Sequence, residues 1–278
     1  MPRIFGKNID KKQGAVLSAS RHPLSLHSRP AQPDVSPYSP TPTIMTQTAA
    51  QYKDALRTVM QPEKKKVLSG FFKSGKGEYG EGDIFIGVTV PDNRTIAKSF
   101  REMPLSEIEL LLHDPIHECR LGALLCLIEK YKKADEPLRE EIYRLYTTNT
   151  AYINNWDLVD LSAAQIVGEH LASRDHAPLY RFANSSLLWE QRISIVATWR
   201  WIRNGQFDDT LAIADILLLH PHDLIQKAVG WMLREVGKCD KKTLTTFLDS
   251  RYTRMPRTML RYAIEKFSAD ERAHYMKK

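Results

Sequence analysis

The sequence contains few cysteines. Cys119, Cys126 and Cys239 are an odd number in a chain of 278 residues, and no two of them have a Cys-x-x-Cys spacing. This pattern argues against a disulfide framework and against a cysteine-rich zinc site. It is typical of a protein from a reducing compartment.

Long apolar runs are also missing. No stretch approaches the roughly 18–20 apolar residues that span a bilayer, so we expect no membrane-spanning segment. Convincing alternating strand patterns are absent as well, which predicts an all-α fold. The composition, with 42% hydrophobic and 26% charged residues, is that of an ordinary globular protein.

The sequence has no pattern typical of a metal site. His113 and His117 are four residues apart, but Pro115 between them disfavours one continuous helix face. His220 and His222 flank a proline ahead of a predicted helix, where turn chemistry is the simpler interpretation. We therefore expect neither a metal ion nor another cofactor.

The first 44 residues are rich in proline and serine. They hold seven of the fifteen prolines and lack a periodic apolar pattern. This predicts a disordered N-terminal extension at 1–44, followed by one folded domain at 45–278. The extension contains Arg and Ser and few acidic residues, as an organelle transit peptide does. We favour an extension without a targeting role, in a cytoplasmic protein.

From residue 46 onward the chain shows helical patterns separated by short breaks, with a weak internal repeat. The predicted helices cover roughly 49–60, 91–100, 107–112, 116–131, 136–147, 156–169, 188–203, 208–217, 222–237, 241–249, 256–266 and 268–276. Arg120, Arg192 and Lys227 occupy matching positions in three similar segments, at intervals of about 35 residues or twice that. A repeat of this length built from helix pairs predicts a right-handed α-solenoid of HEAT-like helical repeats. The matched residues would line its concave face, together with the helix that begins near Trp156.

A glycine-rich segment interrupts the helical pattern between positions 70 and 90. Gly75, Gly77 and Gly80 match a bare G-x-G-x-x-G, but no strand precedes them and no helix opens on them. A dinucleotide site is therefore disfavoured. We expect a flexible, basic-tipped loop at 74–82, followed by an apolar segment at 85–88 that packs on the first helices.

Trp156 and Asp160 are four residues apart and share one face of a predicted helix. An aromatic ring and a carboxylate side by side can hold a cation. The alternative is purely structural: Asn155 caps the helix, Trp156 belongs to the core and Asp160 is solvated.

The positive charge is concentrated at the two ends of the chain. The net charge is +7, and residues 224–278 hold thirteen Lys and Arg against six Asp and Glu. Such a segment suggests a polyanion partner, of which nucleic acid is the commonest, while a solvated basic surface without a partner is the alternative. The residues that we expect to contact a DNA backbone are Lys227, Arg234, Arg120, Arg254, Arg257 and Arg261.

Four motifs occur in a distinctive order and spacing. They are Phe85-x-Gly87-Val88 followed by Pro91, Trp156-Asp157-x-x-Asp160, Trp189-x-x-Arg192, and Gln226-Lys227-Ala228-x-Gly230-Trp231-x-x-Arg234-Glu235. Together they resemble the AlkD-like DNA alkylation repair glycosylase family, over residues 50–270. The resemblance implies a HEAT-like fold and an active cleft formed by Asp160, Trp156, Trp231 and Arg192.

The resemblance further implies a monofunctional enzyme that removes purines alkylated at N3 or N7 from double-stranded DNA, and we expect a monomer. A cationic alkylpurine leaves as a neutral base, so one carboxylate, Asp160, suffices where sugar hydrolases use two. Asp160 would stabilise the oxocarbenium and position water. Trp156 and Trp231 would contact the deoxyribose, and Arg192 with the neighbouring cations would hold phosphates. The lesion would stay stacked instead of being extruded.

The alternative function is a non-catalytic helical-repeat module that binds DNA structures or a protein partner. Convergence of Trp156, Asp160, Arg192 and Trp231 on one cleft would favour the enzyme. Pairing of Asp160 with a structural arginine away from the groove would favour the module.

Overall fold

The computed structural model describes residues 46–277. In this range the chain is built of helices joined by short connections, and its one β-type pairing is a single bridge between Ile84 and Ile116. No helix in the described part is long and apolar enough to cross a membrane. The extension predicted at 1–44 lies outside the described residues.

The α-helices, in chain order, are α1 (Ala49–Thr58), α2 (Pro62–Phe71), α3 (Val90–Ser99), α4 (Leu105–Leu112), α5 (His117–Tyr131), α6 (Glu136–Thr148), α7 (Trp156–Ala163), α8 (Glu169–Leu171), α9 (Ala177–Ala183), α10 (Leu188–Ala197), α11 (Trp199–Ile202), α12 (Asp208–Ile216), α13 (Asp223–Cys239), α14 (Lys241–Asp249), α15 (Arg257–Ala263) and α16 (Ala269–Met276). A 3₁₀ turn at Thr150–Tyr152 precedes α7, and a π-helical turn at Ala164–Gly168 joins α7 to α8.

Side-chain caps mark where several of these helices begin. Thr48 and Gln51 form a capping box at α1, and Ser268 and Glu271 form another at α16. Asn155 caps α7 by accepting the Trp156 amide at 2.8 Å. Each such cap stabilises its helix by about 1 kcal/mol.

Five helices form a row in which each packs on the next. α5 packs on α7, α7 on α10, α10 on α13, and α13 on α15. A second set lies against this row: α4 packs on α5, α9 on α10, and α14 on α13. This is the arrangement of a HEAT-like α-solenoid, and the all-α prediction is confirmed. The helices that carry Arg120, Trp156, Arg192 and Lys227 are successive members of the row.

Helix α5 lies deepest in the protein. Nearly every one of its residues is buried, including the polar residues His117, Glu118 and Arg120. Buried polar groups are costly unless they are hydrogen-bonded or paired. All three have such partners, and these partners hold the loop 72–88 and helix α7 in place.

Two helices were not predicted from the sequence. Helix α2 buries none of its residues and therefore lacks the apolar stripe that reveals a helix, and α9 is only seven residues long. The helix predicted at 156–169 contains the π-helical turn, and the one predicted at 188–203 is divided into α10 and α11.

Candidate active site

Asp160 and Arg192 form a buried ion pair between α7 and α10. The Arg192 Nε donates to Asp160 Oδ1 (2.9 Å) and its Nη2 donates to Oδ2 (2.8 Å), a bidentate arrangement. Its Nη1 donates to the carbonyl of Leu224 at the start of α13 (2.5 Å). Arg192 is fully buried, whereas the Asp160 side chain keeps 11% of its surface exposed. One arginine therefore links three helices of the row and presents an edge of the carboxylate to solvent.

The environment of this ion pair allows the Asp160 carboxylate to stabilise a neighbouring positive charge. Burial raises the pKa of the Asp160 carboxyl above its ordinary value, while Arg192 opposes the rise. An arginine stays protonated in proteins, so it supports a charged carboxylate in a setting of low polarity. In such a setting a carboxylate acts on a nearby positive charge more strongly than it does in water.

The structure corrects the role expected for Arg192. We expected this residue to hold a phosphate, but its three donor groups bind Asp160 and the Leu224 carbonyl, and none of its surface is exposed. Arg192 therefore orients the carboxylate.

Trp156 opens α7 and is 9% exposed. Its ring stacks on Phe72 (centroids 5.3 Å apart, planes at 29°) and meets Phe71 edge-on (5.8 Å, 70°). Its Nε1 donates to the Tyr79 hydroxyl (3.2 Å), and the Tyr79 ring lies edge-on to Trp189 on α10 (6.3 Å). The segment from Phe71 to Tyr79 therefore covers Trp156 and reaches across to the next helix of the row.

A buried charged network joins the start of α7 to α5 and to the loop before α3. His117 Nε2 contacts Asp157 Oδ2 (2.9 Å), and its Nδ1 contacts Asp83 Oδ2 (3.3 Å). Arg120 donates to the other oxygen of Asp83 (2.5 Å). Burial alone would lower the pKa of His117, but Asp157 and Asp83 outweigh it and raise the pKa to about 9. Two cations and two anions therefore balance one another inside the protein.

We predicted that Arg120 contacts DNA, but the structure shows that it is a buried structural residue. It is 4% exposed, and besides Asp83 it donates to the carbonyls of Asp114 and Pro115 (3.0 and 3.1 Å). A guanidinium held in this way does not reach a phosphate. The repeat register placed Arg120 on the concave face with Arg192 and Lys227, but a loop that is distant in sequence covers Arg120.

Glu118 explains the motif Phe85-x-Gly87-Val88. Its buried carboxylate accepts the backbone N–H groups of residues 86, 87 and 88 at 3.0, 2.8 and 3.2 Å. Gly87 has a φ of +88°, and a Cβ at this position would lie 2.2 Å from the Gln61 carbonyl oxygen. Only glycine fits such a turn. The motif therefore fixes the loop onto α5.

The loop at 74–82, which we expected to be flexible, carries hydrogen bonds of its own. The Gly80 amide donates to the Lys73 carbonyl (3.1 Å). The carboxylates of Glu78 and Glu81 accept two further backbone N–H groups of the loop (3.0 and 2.8 Å). These bonds fold the loop back on itself, and Tyr79 within it accepts the Nε1–H of Trp156.

Trp231 lies on α13 and is half-buried. Its ring tilts against Trp199 (centroids 6.3 Å apart), and its Nε1 donates to Glu235 (3.2 Å). The structure thus brings Asp160, on the helix that Trp156 opens, into direct contact with Arg192 on α10. It places Trp231 on α13, the helix that follows α10 in the row.

Two of the predicted phosphate contacts have partners on the surface. Lys227 pairs with Asp223 one turn earlier (2.5 Å), and its side chain is 31% exposed. Arg234 pairs with Glu235 and Glu265, and its side chain is 18% exposed. Both would exchange these partners if they bound a phosphate.

The C-terminal arginines differ in accessibility. Arg257 donates to the Met276 carbonyl (2.6 Å). Arg254 and Arg261 are exposed and form the accessible part of the predicted basic surface.

Sequence reasoning missed the His117 network and Tyr79. His117 was considered only as a zinc ligand together with His113, which instead stacks on the ring of Tyr152. The two partners of His117 lie 34 and 40 residues away, so no local pattern reveals them. Within residues 46–277 no group of three or more His, Cys, Asp or Glu side chains is arranged to hold a metal ion.

A family model described as DNA alkylation repair enzyme matches residues 52–267. The chain belongs to this family. All the residues proposed above for catalysis and DNA binding lie inside the matched range of the DNA alkylation repair family. Membership confirms the resemblance found in the sequence and gives the protein a role in DNA repair, with DNA as its partner.

Solved structures share the fold of this member of the family. Among them is the predicted DNA alkylation repair enzyme from Enterococcus faecalis, with a TM-score of 0.60 and 16% sequence identity. The similarity covers 76% of this chain and 97% of that chain. At this identity the likeness shows the fold alone. No curated protein matches the chain.

Proposed function

We propose that the protein is a DNA glycosylase that hydrolyses the N-glycosidic bond of positively charged alkylated purines, namely N3-alkyladenine and N7-alkylguanine, in double-stranded DNA. The observation that carries this proposal is the Asp160 carboxylate. It is buried, it is oriented by two hydrogen bonds from Arg192, and it keeps an exposed edge. A site that only binds phosphates gains nothing from an oriented carboxylate, because the two anions repel each other.

The proposed reaction breaks the bond between the sugar C1′ and the purine N9. The bonding electrons pass to the purine and cancel its positive charge, so the base leaves neutral and needs no proton from a general acid. The sugar becomes an oxocarbenium ion, which Asp160 stabilises. Water then attacks C1′, and its proton passes to Asp160 or to solvent. One carboxylate therefore suffices where most sugar hydrolases need two.

The remaining residues would hold the substrate. Trp231 and the small exposed part of Trp156 would offer aromatic surface to the deoxyribose and to its developing positive charge. Lys227, Arg254 and Arg261 would contact phosphates, which fix the register of the DNA without reading its sequence. Gripped by its backbone, the lesion would stay stacked in the duplex. A structure with damaged DNA in which the base occupies a protein pocket would contradict this last step.

The charge of the leaving base provides the test of function. Duplexes that contain a single 7-methylguanine or a single 8-oxoguanine, which is neutral, are incubated with the protein, and the free base is measured by chromatography. We expect release of 7-methylguanine well above the spontaneous rate and no release of 8-oxoguanine, because the site offers no general acid to the base. Release of both bases would contradict the charge-based mechanism.

The alternative function is a non-catalytic module that binds DNA or a protein partner. The pairing of Asp160 with Arg192 by itself fits either function, and the solvent-accessible part of the Asp160 side chain is what favours the enzyme. Tight binding of the damaged duplex without any release of base would support the module.

A further inference from the structure

A group of lysines without ion-pair partners lies on α2 and on the loop that follows it. Residues 62–77 contain five lysines and a single acidic residue, Glu63. Among the described residues none of these five lysines is in an ion pair, whereas Lys227 and Lys238 each bind a carboxylate (2.5 and 2.6 Å). The four that are exposed, which we call the basic arm, are Lys65, Lys66, Lys73 and Lys76. Their ammonium groups are therefore available to an external anion.

Helix α2 is attached to the protein at its two ends and faces solvent between them. At its start the Gln61 amide donates to the Gly87 carbonyl (3.1 Å). Just beyond its end Phe72 is buried and stacks on Trp156 (ring centroids 5.3 Å apart). None of the residues of α2 is buried, and Val67 is 68% exposed. A helix held in this way contributes little to the core, so its side chains are free to serve a surface contact.

Lys73 adopts a backbone conformation that lysine rarely takes. Its φ is +50°, and among residues 46–277 it is the one residue other than glycine with a positive φ. Glycine adopts this left-handed conformation without the clash that a Cβ causes. Backbone strain of this kind clusters at functional sites. The lysine at this position therefore points to a use for its charged side chain.

The basic arm lies beside the candidate site. Phe71, at the end of α2, meets the ring of Trp156 edge-on (5.8 Å), and Trp156 precedes Asp160 by about one helical turn. Lys66 and Lys65 precede Phe71 by about 8 Å along α2. A DNA duplex bound at Asp160 therefore passes close to the arm.

The DNA contacts proposed above lie on the other side of the ion pair between α7 and α10. Lys227 belongs to α13, Arg254 to the turn before α15, and Arg261 to α15 itself. These helices follow α10 in the row. The loop of the basic arm is instead anchored on α5 and on the cap of α7, because Asp83 at its end accepts hydrogen bonds from Arg120 and Asn155 (2.5 and 3.1 Å). The two basic surfaces therefore flank the carboxylate.

We propose that the basic arm binds phosphates of the DNA duplex on the side of the lesion opposite to Lys227, Arg254 and Arg261. The proposal rests on the glycosylase function proposed above for the place of the lesion. Each strand of the duplex carries one phosphate per about 3.4 Å, so lysines spread along α2 and its loop meet several of them. These contacts position the duplex and read no base sequence. A backbone that is held on both sides keeps the lesion stacked and its sugar in register with Asp160.

The phosphate contact is tested by the salt dependence of binding to an undamaged duplex, which needs no catalysis. We expect Lys65→Ala/Lys66→Ala to lower the slope of log Kd against log salt concentration by about 2. The ratio of Kd between this variant and the wild type should therefore shrink about tenfold between about 50 and 200 mM salt. Lys65→Arg/Lys66→Arg keeps both charges and should keep the slope. An unchanged slope in the alanine variant would overturn the proposal.

The matched control is Lys98→Ala/Lys133→Ala. Both side chains are exposed, and neither is in an ion pair with a described residue. Lys133 lies just beyond the end of α5, more than about 20 Å from the start of that helix, where His117 binds Asp157 on α7. We expect the wild-type slope for this variant. A slope lowered as much as in Lys65→Ala/Lys66→Ala would contradict a specific role for the arm.

Lys73→Gly separates the loss of a contact from the loss of structure. It removes one charge and also the Cβ that makes the positive φ unfavourable. We expect the slope to fall by about 1 while the melting temperature stays at or above the wild-type value. A wild-type slope in Lys73→Gly would contradict the role given to this lysine.

The place of the arm is tested by base release from duplexes that carry 7-methylguanine near one end or near the other, so that DNA extends to only one side of the lesion. We expect Lys65→Ala/Lys66→Ala to lower kcat/KM on one of these duplexes and Arg261→Ala to lower it on the other. Losses on the same duplex would overturn the opposite placement. If the wild type releases no base, the glycosylase function fails and the placement fails with it, while the salt slope still decides whether the arm binds DNA.

Discussion

His117 should give the protein a pH-dependent stability. Burial by itself lowers the pKa of this imidazole, yet Asp157 and Asp83 raise it from 6.5 to about 9. Because the folded pKa exceeds the unfolded one, the charged imidazole stabilises the fold fully below about pH 6.5, and this contribution is lost as the pH rises through about 9. The separation of the two pKa values corresponds to about 3 kcal/mol in the free energy of unfolding.

The assay compares the wild type with His117→Gln, whose amide can donate a hydrogen bond but carries no charge. Urea unfolding followed by circular dichroism gives the free energy of unfolding of both proteins between about pH 6 and pH 10. The free energy of unfolding of the wild type should exceed that of His117→Gln most at low pH, and this difference should fall by about 3 kcal/mol toward high pH. Cys119 and Cys126 do not titrate in this range, because burial raises the pKa of each thiol to about 12.

A constant difference between the two proteins over this range would refute the prediction, since it would mean that His117 binds protons equally in the folded and unfolded states. NMR of ¹⁵N-labelled imidazole provides a direct check, because the His117 signal should titrate near pH 9. Asp157→Asn provides a further variant: it removes one of the two carboxylates, so the imidazole should titrate at lower pH than in the wild type.

Three further predictions concern the loop, the DNA contacts and the carboxylate. Gly87→Ala should lower the free energy of unfolding by more than about 2 kcal/mol, since its Cβ meets backbone. Gly77→Ala, also at positive φ but in open space, should cost about 1 kcal/mol in the same urea assay. Arg261→Ala should lower the slope of log Kd for DNA against log salt concentration by about 1, and Arg57→Ala on α1 should not. Burial raises the pKa of Asp160, so single-turnover base release should fall on acidification with a midpoint above 3.8, and a flat profile would contradict this.

The sequence predicts most of the fold because apolar periodicity marks helices that bury one face. Helices α1, α6, α13 and α14 carry such a stripe. The matched positions of Arg120, Arg192 and Lys227 placed three helices of the row in register. Helix α2 was missed because it buries no residue, so its sequence has no stripe to detect.

The sequence names the residues of the candidate site, but the structure corrects the contacts that two of them make. Trp156 and Asp160 lie on one helix, so the sequence spacing alone shows that they share a face. The partners of Arg192 and Arg120 are set by packing between segments, so only the structure shows that both guanidinium groups bind carboxylates inside the protein. The position of Tyr79 depends on a loop held by carboxylate-to-backbone hydrogen bonds, which have no sequence signature.

The most direct test of the central claim is single-turnover release of 7-methylguanine from duplex DNA by the wild type, Asp160→Asn and a control, Asp215→Asn. Asp215 is bound by Arg251 through the same two nitrogens, Nε and Nη2 (both 2.6 Å), on α12 outside the site. Replacing Asp160 leaves Arg192 buried without its counter-ion, at a cost of about 3–5 kcal/mol. Circular dichroism and DNA binding therefore establish first that each variant is folded.

The account predicts that folded Asp160→Asn binds the damaged duplex but releases the base at least about 100-fold more slowly than the wild type. It predicts the wild-type rate for Asp215→Asn. Release at the wild-type rate by folded Asp160→Asn would contradict the assignment of Asp160 as the catalytic carboxylate.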